Sequence, residues 1–174
     1  MDFDYTQFPK DHFDIIWASP PCTCYSSLQD SWLGRMRKGK IYTKDVQEAE
    51  MKEDDKLVLK VFEIIKYFNC QWFIENPASS KMKDRPCMKD VPNYLVDYCR
   101  YSDWGYRKRT RVWTNRKDFT PLLCDGTGTC GNMIDSHHRK RIGTNEHGKK
   151  PRGSGTTQNE RYRIPETLIL ALFL

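Results

Sequence analysis

No stretch of this sequence stays apolar over the roughly 20 residues a membrane-spanning helix needs. Met1 is not followed by the basic and then apolar residues of a secretory signal. Both absences point to a soluble, intracellular protein that is not secreted. There are no internal repeats to imply a solenoid or array. A Gly-rich phosphate loop is missing too, since Gly126-Thr127-Gly128 is short and follows no predicted strand. The cysteines number seven, an odd count that argues for reduced thiols rather than a disulfide framework. They form no recognisable zinc-finger spacing. Cys124 and Cys130 are separated by five residues, and six more precede His137 and His138. Those four are the candidate ligands for a small zinc site, but the expectation from spacing is that the chain holds no metal.

The 174 residues suit one domain with a modest core. Apolar residues make up 38% of the chain and charged residues 30%, so it is globular but keeps much of itself in water. Lys and Arg total 29 against 23 Asp and Glu. A net charge of +6 with clustered cations favours a polyanionic partner. Between Gly34 and Lys44 stand Arg35, Arg37, Lys38, Lys40 and Lys44 with no acid among them. The two glycines there fit a mobile loop that closes over a phosphate backbone, or simply a solvated one. A second cluster, Arg139, Lys140, Arg141, Lys149, Lys150 and Arg152, is opposed only by Glu146.

Phe13 to Ala18 reads as a buried strand, followed by a loop from Ser19 to about Thr43. Leu57, Val61, Ile64, Ile65 and Phe68 recur at helical spacing within Val46 to Phe68, behind an acidic start that suits a helix N-terminus. Asn69 and Cys70 break this helix. Trp72-Phe73-Ile74 then forms a second strand that stops at Glu75-Asn76-Pro77. Such a strand, loop, helix, strand unit makes its two strands parallel, so Cys22 and Glu75 should face one crevice at their carboxyl edge. Tyr94 to Tyr101 and Thr110 to Thr114 are expected to form an antiparallel hairpin at a sheet edge, turning at Ser102-Asp103-Trp104-Gly105. Residues 115–160 are loop-rich, either a recognition insertion or disordered. Ile164 to Leu174 suits a closing helix.

The chemistry lies in Ala18-Ser19-Pro20-Pro21-Cys22-Thr23-Cys24-Tyr25, with Ser26 following. A thiol at the end of a strand, with its backbone held by two prolines, has the marks of a positioned nucleophile. The plain alternative is a cysteine that packs as a small hydrophobe. Arg107, Arg109 and Arg111 alternate along an extended segment and point to one side, as a catalytic or a merely solvated basic patch would. In order along the chain, Pro-Pro-Cys, Glu-Asn-Pro and Arg-x-Arg-x-Arg resemble the DNA cytosine-5 methyltransferases, and their tight spacing is most similar to the compact viral and phage branch.

That resemblance implies an α/β, Rossmann-like methyltransferase sheet, with a catalytic core over 1–114, a small DNA-recognition insertion over 115–160 and a returning helix over 161–174. It implies S-adenosylmethionine as cofactor and duplex DNA as partner. Carried over by motif, Cys22 is the nucleophile, Glu75 the acid on the pyrimidine ring, and Arg109 and Arg111 the steadying pair, with Arg107 replacing the family's glutamine. Asp4, Pro20 and Pro21 correspond to cofactor-binding positions. Ser26, Arg35, Arg37, Lys38, Lys40, Arg139, Lys140 and Arg141 are the expected DNA contacts. Arg163-Ile164-Pro165-Glu166-Thr167-Leu168 resembles the family's closing helix. A viral member would work in the cytoplasm or nucleus of its host cell.

The chemistry needs these residue types. Carbon-5 of cytosine takes a methyl group only after a nucleophile adds to carbon-6, and a thiolate is the best protein group for that. A base stacked in a duplex must first be flipped out, at roughly a few kcal/mol, which phosphate contacts offset. The family's Gly-rich cofactor turn and following acidic residue do not precede Asp4. The sheet is therefore expected to be N-terminally incomplete. A truncated gene, a start codon placed too late, a separate chain supplying the other half, and a decayed protein that only binds DNA are all open. Two other readings remain: an inert or split-enzyme fragment acting as a DNA-binding module, and an amino-group methyltransferase, which would need an aromatic residue where Cys22 stands.

Overall fold

The computed structural model describes residues 4–143 and 154–174. Its elements in order are β1 (Ile15–Ala18), β2 (Met36–Arg37), β3 (Lys40–Ile41), α1 (Lys44–Phe68), β4 (Gln71–Pro77), β5 (Asn93–Asp97), β6 (Arg109–Thr114), β7 (Met133–Ile134), β8 (His137–His138), β9 (Lys140–Arg141), β10 (Ser154–Gly155), α2 (Gln158–Tyr162) and α3 (Glu166–Phe173). The chain divides into two compact units, one made of Met1–Asn93 and Arg111–Lys117, the other of Tyr94–Thr110 and Asp118–Leu174. The division falls within β5 and β6. No helix among the described residues is long and apolar enough to cross a membrane.

In the first unit α1 starts where the Thr43 side chain accepts the Val46 N–H at 3.3 Å. It ends at Asn69, whose φ of 51° is the left-handed conformation that closes helices. The buried seam of the helix is Met51, Val58 and Ile65, seven residues apart, with Phe68. Leu57, expected on that face, is exposed, because the seam follows the i, i+7 row that meets Tyr25, Ile74, Met82, Met88 and Trp113. Arg85 then fastens the segment after β4 to the helix. Its guanidinium grips Asp55 at 2.7 to 3.1 Å and Glu48 at 2.8 and 2.9 Å, and Arg85 itself is buried.

The main sheet has the order β1-β4-β6-β5. β1 and β4 are parallel, with Ile15 opposite Gln71 and Ala18 opposite Ile74, as the strand, helix, strand reading predicts. β4 runs longer than expected and includes Glu75-Asn76-Pro77 rather than stopping before it. Asn115, just past β6, accepts the Trp72 N–H and donates to the Cys70 carbonyl, both at the start of β4. β6 therefore runs antiparallel to β4, which brings its Arg111 end beside the Glu75 end of β4. Backbone bonds from Thr114 to Pro92 and from Tyr98 to Lys108 pair β5 with β6 antiparallel, the expected edge hairpin. β5 ends at Asp97 rather than near Tyr101, and a 3-10 turn takes over from Tyr98 to Arg100.

Two expected loops are built. The basic stretch after Gly34 is a hairpin of β2 and β3, turning at Lys38 and Gly39 with φ of 51° and 77°. Those positive angles suit a two-residue hairpin turn. The described part of 115–160 holds β7 to β10 and the start of α2, with turns at the positive-φ glycines Gly126, Gly128 and Gly131. Lys149, Lys150 and Arg152 of the second basic cluster lie outside the described residues. In the second unit α2 opens on a capping box between Thr157 and Glu160, an element absent from the periodicity reading. Leu168 and Leu172 of α3 are fully buried.

Candidate functional site

Pro20 lies two residues beyond β1, and its carbonyl accepts the Asn76 side-chain N–H at 2.9 Å. That bond ties the Pro20-Pro21-Cys22 turn to the end of the neighbouring parallel strand. The Cys22 thiol is half-buried on the tied turn and Glu75 is buried in β4. The turn is held on its other side as well. Tyr25, fully buried, donates its hydroxyl to Asp55 of α1 at 2.9 Å, and Lys81 donates its N–H to the Tyr25 carbonyl at 2.8 Å. Ser26 is used locally, its hydroxyl accepting the Leu28 N–H.

Cys24 sits two residues on and has a different environment. Burial, reinforced by Asp54, pushes its thiol up to about 11, which leaves little thiolate near neutrality.

Arg111 donates to the Asn93 side chain. Its buried Nε has no hydrogen-bond partner, and burial works against its charge. Asn76 Oδ1 is likewise buried without a partner. Arg109 belongs to the second unit and is committed there. It grips the fully buried Asp97 through Nε at 3.0 Å and Nη2 at 2.7 Å, and Arg107 reaches the same carboxylate at 3.0 Å. Burial would raise the Asp97 pKa, but the two guanidinium groups and the Cys124 N–H outweigh it and hold the carboxyl below its usual range. The three alternating arginines thus divide between two carbonyl or carboxylate acceptors rather than forming one solvated row.

Asp4 caps a 3-10 turn over Tyr5–Gln7, accepting from the Thr6 hydroxyl at 2.6 Å and the Thr6 N–H at 3.0 Å, which lower its pKa. The turn is anchored on the last third of α1, where Tyr5 donates to Glu63 and packs against Tyr67 and Phe68. The cysteine turn is anchored at Asp55 instead. Asp4 and Cys22 are therefore held against different stretches of one helix.

The expected DNA contacts fall into two groups. Arg35 and Lys40 are exposed and make no ion pair among the described residues, and Arg141 is exposed. Arg37 pairs with Glu50 at 3.0 Å and lies over the Tyr42 ring, while Lys38 reaches Glu50 only at 3.8 Å and is 77% exposed. Arg139 donates to the Asp103 carbonyl and the Asn132 side chain, both at 3.1 Å, and Lys140 pairs with Glu160 at 2.9 Å.

The zinc quartet read from spacing is corrected at one position. Cys124, Cys130 and His138 converge, and the fourth member is Cys99 from the 3-10 turn after β5. His137 is exposed and turned to its neighbour's carbonyl, Ser136, at 2.8 Å. Successive residues of β8 point to opposite faces, so only one of the two histidines can join the cluster. No local signal marked Cys99, which stands 25 residues before Cys124.

No protein-family model matches the chain. A relative from Frog virus 3 (isolate Goorha), named a probable DNA (cytosine-5)-methyltransferase, is 40% identical over 178 residues, covering 99% of this chain and 80% of the relative. With such identity over nearly its whole length, and with the Pro-Pro-Cys turn tied to the Glu-Asn-Pro strand, the chain belongs to the DNA (cytosine-5)-methyltransferase family.

Proposed function

We propose that this chain transfers a methyl group from S-adenosylmethionine to carbon-5 of a flipped cytosine in duplex DNA, with Cys22 as covalent nucleophile. The observation that carries the reading is the hydrogen bond from Asn76 to the Pro20 carbonyl, which holds the cysteine turn beside Glu75. The Cys22 thiolate adds to carbon-6, and Glu75 gives a proton to the ring nitrogen that would otherwise carry the charge. Carbon-5 then has the electron density to form its new bond to the methyl group, whose bond to the sulfonium sulfur breaks. Return of the ring-nitrogen proton to Glu75 and removal of the carbon-5 proton by a base restore the ring and expel the Cys22 sulfur as thiolate. Arg111, with its buried unpartnered Nε, is suited to hold the ring carbonyl. Arg109 is committed to Asp97 within the second unit.

S-adenosylmethionine, when bound, supplies an electrophilic methyl group on a sulfonium. The residues present fit part of it. Asp4 is exposed and ionised, as an acceptor for a nucleoside must be, and Pro20 and Pro21 offer an apolar wall at the end of β1. Arg35 and Lys40 on the β2-β3 hairpin and Arg141 are free to meet phosphates, Lys38 could turn from Glu50 to do so, and 115–160 is the recognition segment in this reading.

The test is transfer of labelled methyl to mixed-sequence duplex DNA by the purified chain. Label at cytosine carbon-5 that disappears in Cys22→Ser supports the assignment, and transfer retained in that variant sinks it. Glu75→Gln should slow transfer at least tenfold, since positioned acids typically contribute about 10²–10⁴-fold. No transfer alongside salt-dependent duplex binding would favour the DNA-binding module instead.

A further inference from the structure

We propose that Cys99, Cys124, Cys130 and His138 form a tetrahedral zinc site that fastens the second unit. One ligand atom from each of the four lies within 4.8 Å of all the others. His138 Nε2 is 3.7 Å from the Cys124 sulfur and 3.6 Å from the Cys130 sulfur. A tetrahedral zinc with sulfur at about 2.3 Å and nitrogen at about 2.0–2.1 Å implies nitrogen to sulfur edges of about 3.6 Å. The observed separations match that tetrahedral edge.

Hydrogen bonding alone accounts for the cluster poorly. Nε2 carries at most one proton, so two sulfurs would have to share it. Three thiols packed on one imidazole would leave weak donors facing weak acceptors, with Cys99 and Cys124 almost wholly buried. A metal ion satisfies all four groups together.

Hydrogen bonds from neighbouring groups hold the backbone of the ligands. The buried Asn132 side chain donates to the carbonyls of Cys99 at 2.8 Å, Ser102 at 2.7 Å and Cys130 at 3.1 Å, and accepts the Gly105 N–H at 2.8 Å. It thus fixes the backbone of two ligands. Asp97 fixes a third by accepting the Cys124 N–H at 2.8 Å. Zinc with three thiolates and one neutral imidazole carries a single negative charge, and Asp97 adds another. The guanidinium groups of Arg107 and Arg109, both on Asp97, balance the two. Each ligand comes from a different stretch: the turn after β5, the segment after β6, the glycine turns, and β8. Leu122, Leu123 and Ile134 in this region are exposed, so little apolar core holds it. A metal staple is what such a segment needs.

The proposal is independent of the methyl-transfer reading and is tested without activity. Untagged full-length protein, purified with thiol reductant and zinc present and then dialysed, should hold one zinc per chain by elemental analysis. Cobalt in place of zinc should give the intense visible d–d bands of a tetrahedral site and sulfur-to-metal charge transfer. Cys130→Ser and His138→Asn should lose at least nine-tenths of the bound metal, and His137→Asn should keep it all. Cobalt titration of the unaltered chain serves if a variant does not fold. Less than one-tenth zinc per chain with no tetrahedral cobalt spectrum, a native disulfide among the three cysteines, or equal metal loss in His137→Asn and His138→Asn would overturn the site.

Discussion

The molecule uses cysteine in two opposed ways. At the carboxyl edge of β1 the half-buried Cys22 sits on a turn that Asn76 and Tyr25 hold. In the second unit three thiols turn inward on one imidazole, with their backbone fixed by Asn132 and Asp97. In the two proposals above, the first sulfur reacts and the other three bind a metal. A thiol is a nucleophile or a ligand according to what its neighbours leave for it to bind.

Exchanging one cysteine at each place gives the largest contrast. Cys22→Ser should abolish methyl transfer while zinc content and thermal midpoint stay those of the unaltered chain. Cys124→Ser should lose the metal and unfold at a lower temperature, read by elemental analysis and calorimetry. A metal-free Cys22→Ser would break the comparison. The next effect in size belongs to Asn76→Ala, which leaves the Pro20 carbonyl without its donor. Transfer should fall more than tenfold and urea stability by about 1 kcal/mol, with metal content unchanged. A rate equal to that of the original chain would show that the tie does not position Cys22.

Alkylation sharpens the contrast among the thiols. At pH 8 iodoacetamide should label Cys22 ahead of Cys24, whose thiolate fraction is only about one in a thousand when its pKa is raised to about 11. Because the pKa is raised, labelling of Cys24 should climb as pH passes through 11. Cys99, Cys124 and Cys130 should resist until a chelator is added. Peptide mass spectrometry reads all five sites, and early labelling of Cys24 would undo the distinction.

The smallest effects concern charge. Arg35→Ala and Lys40→Ala should each lower the slope of log affinity for duplex DNA against log salt by about 0.9, as the loss of one phosphate contact does. Lys140→Ala, already paired with Glu160, should change that slope less. Equal changes in all three variants would mean that the ion pair opens on binding.

Much of the first unit was legible in the sequence because its signals are local. The period of α1, the breaker Asn69 and the prolines around Cys22 each act within a few residues of themselves. The parallel pairing of β1 with β4 followed from the helix between them. Leu57 was misjudged because several apolar rows run along α1, and only the packed strands select which row is buried. The segment after Asn115 showed no periodicity, since two-residue strands and glycine turns leave none to read.

By itself the sequence determined where the Pro-Pro-Cys turn, the Glu-Asn-Pro triplet and the cations stand along the chain, since each of those motifs is contiguous. Only the tertiary structure decided that Asn76 holds the Pro-Pro-Cys turn, that Arg107 and Arg109 share Asp97, and that Cys99 rather than His137 completes the cluster. Residues 99 and 138 are too far apart in sequence for local geometry to relate them. Their meeting depends on how every intervening turn closes, and the packed fold sets that.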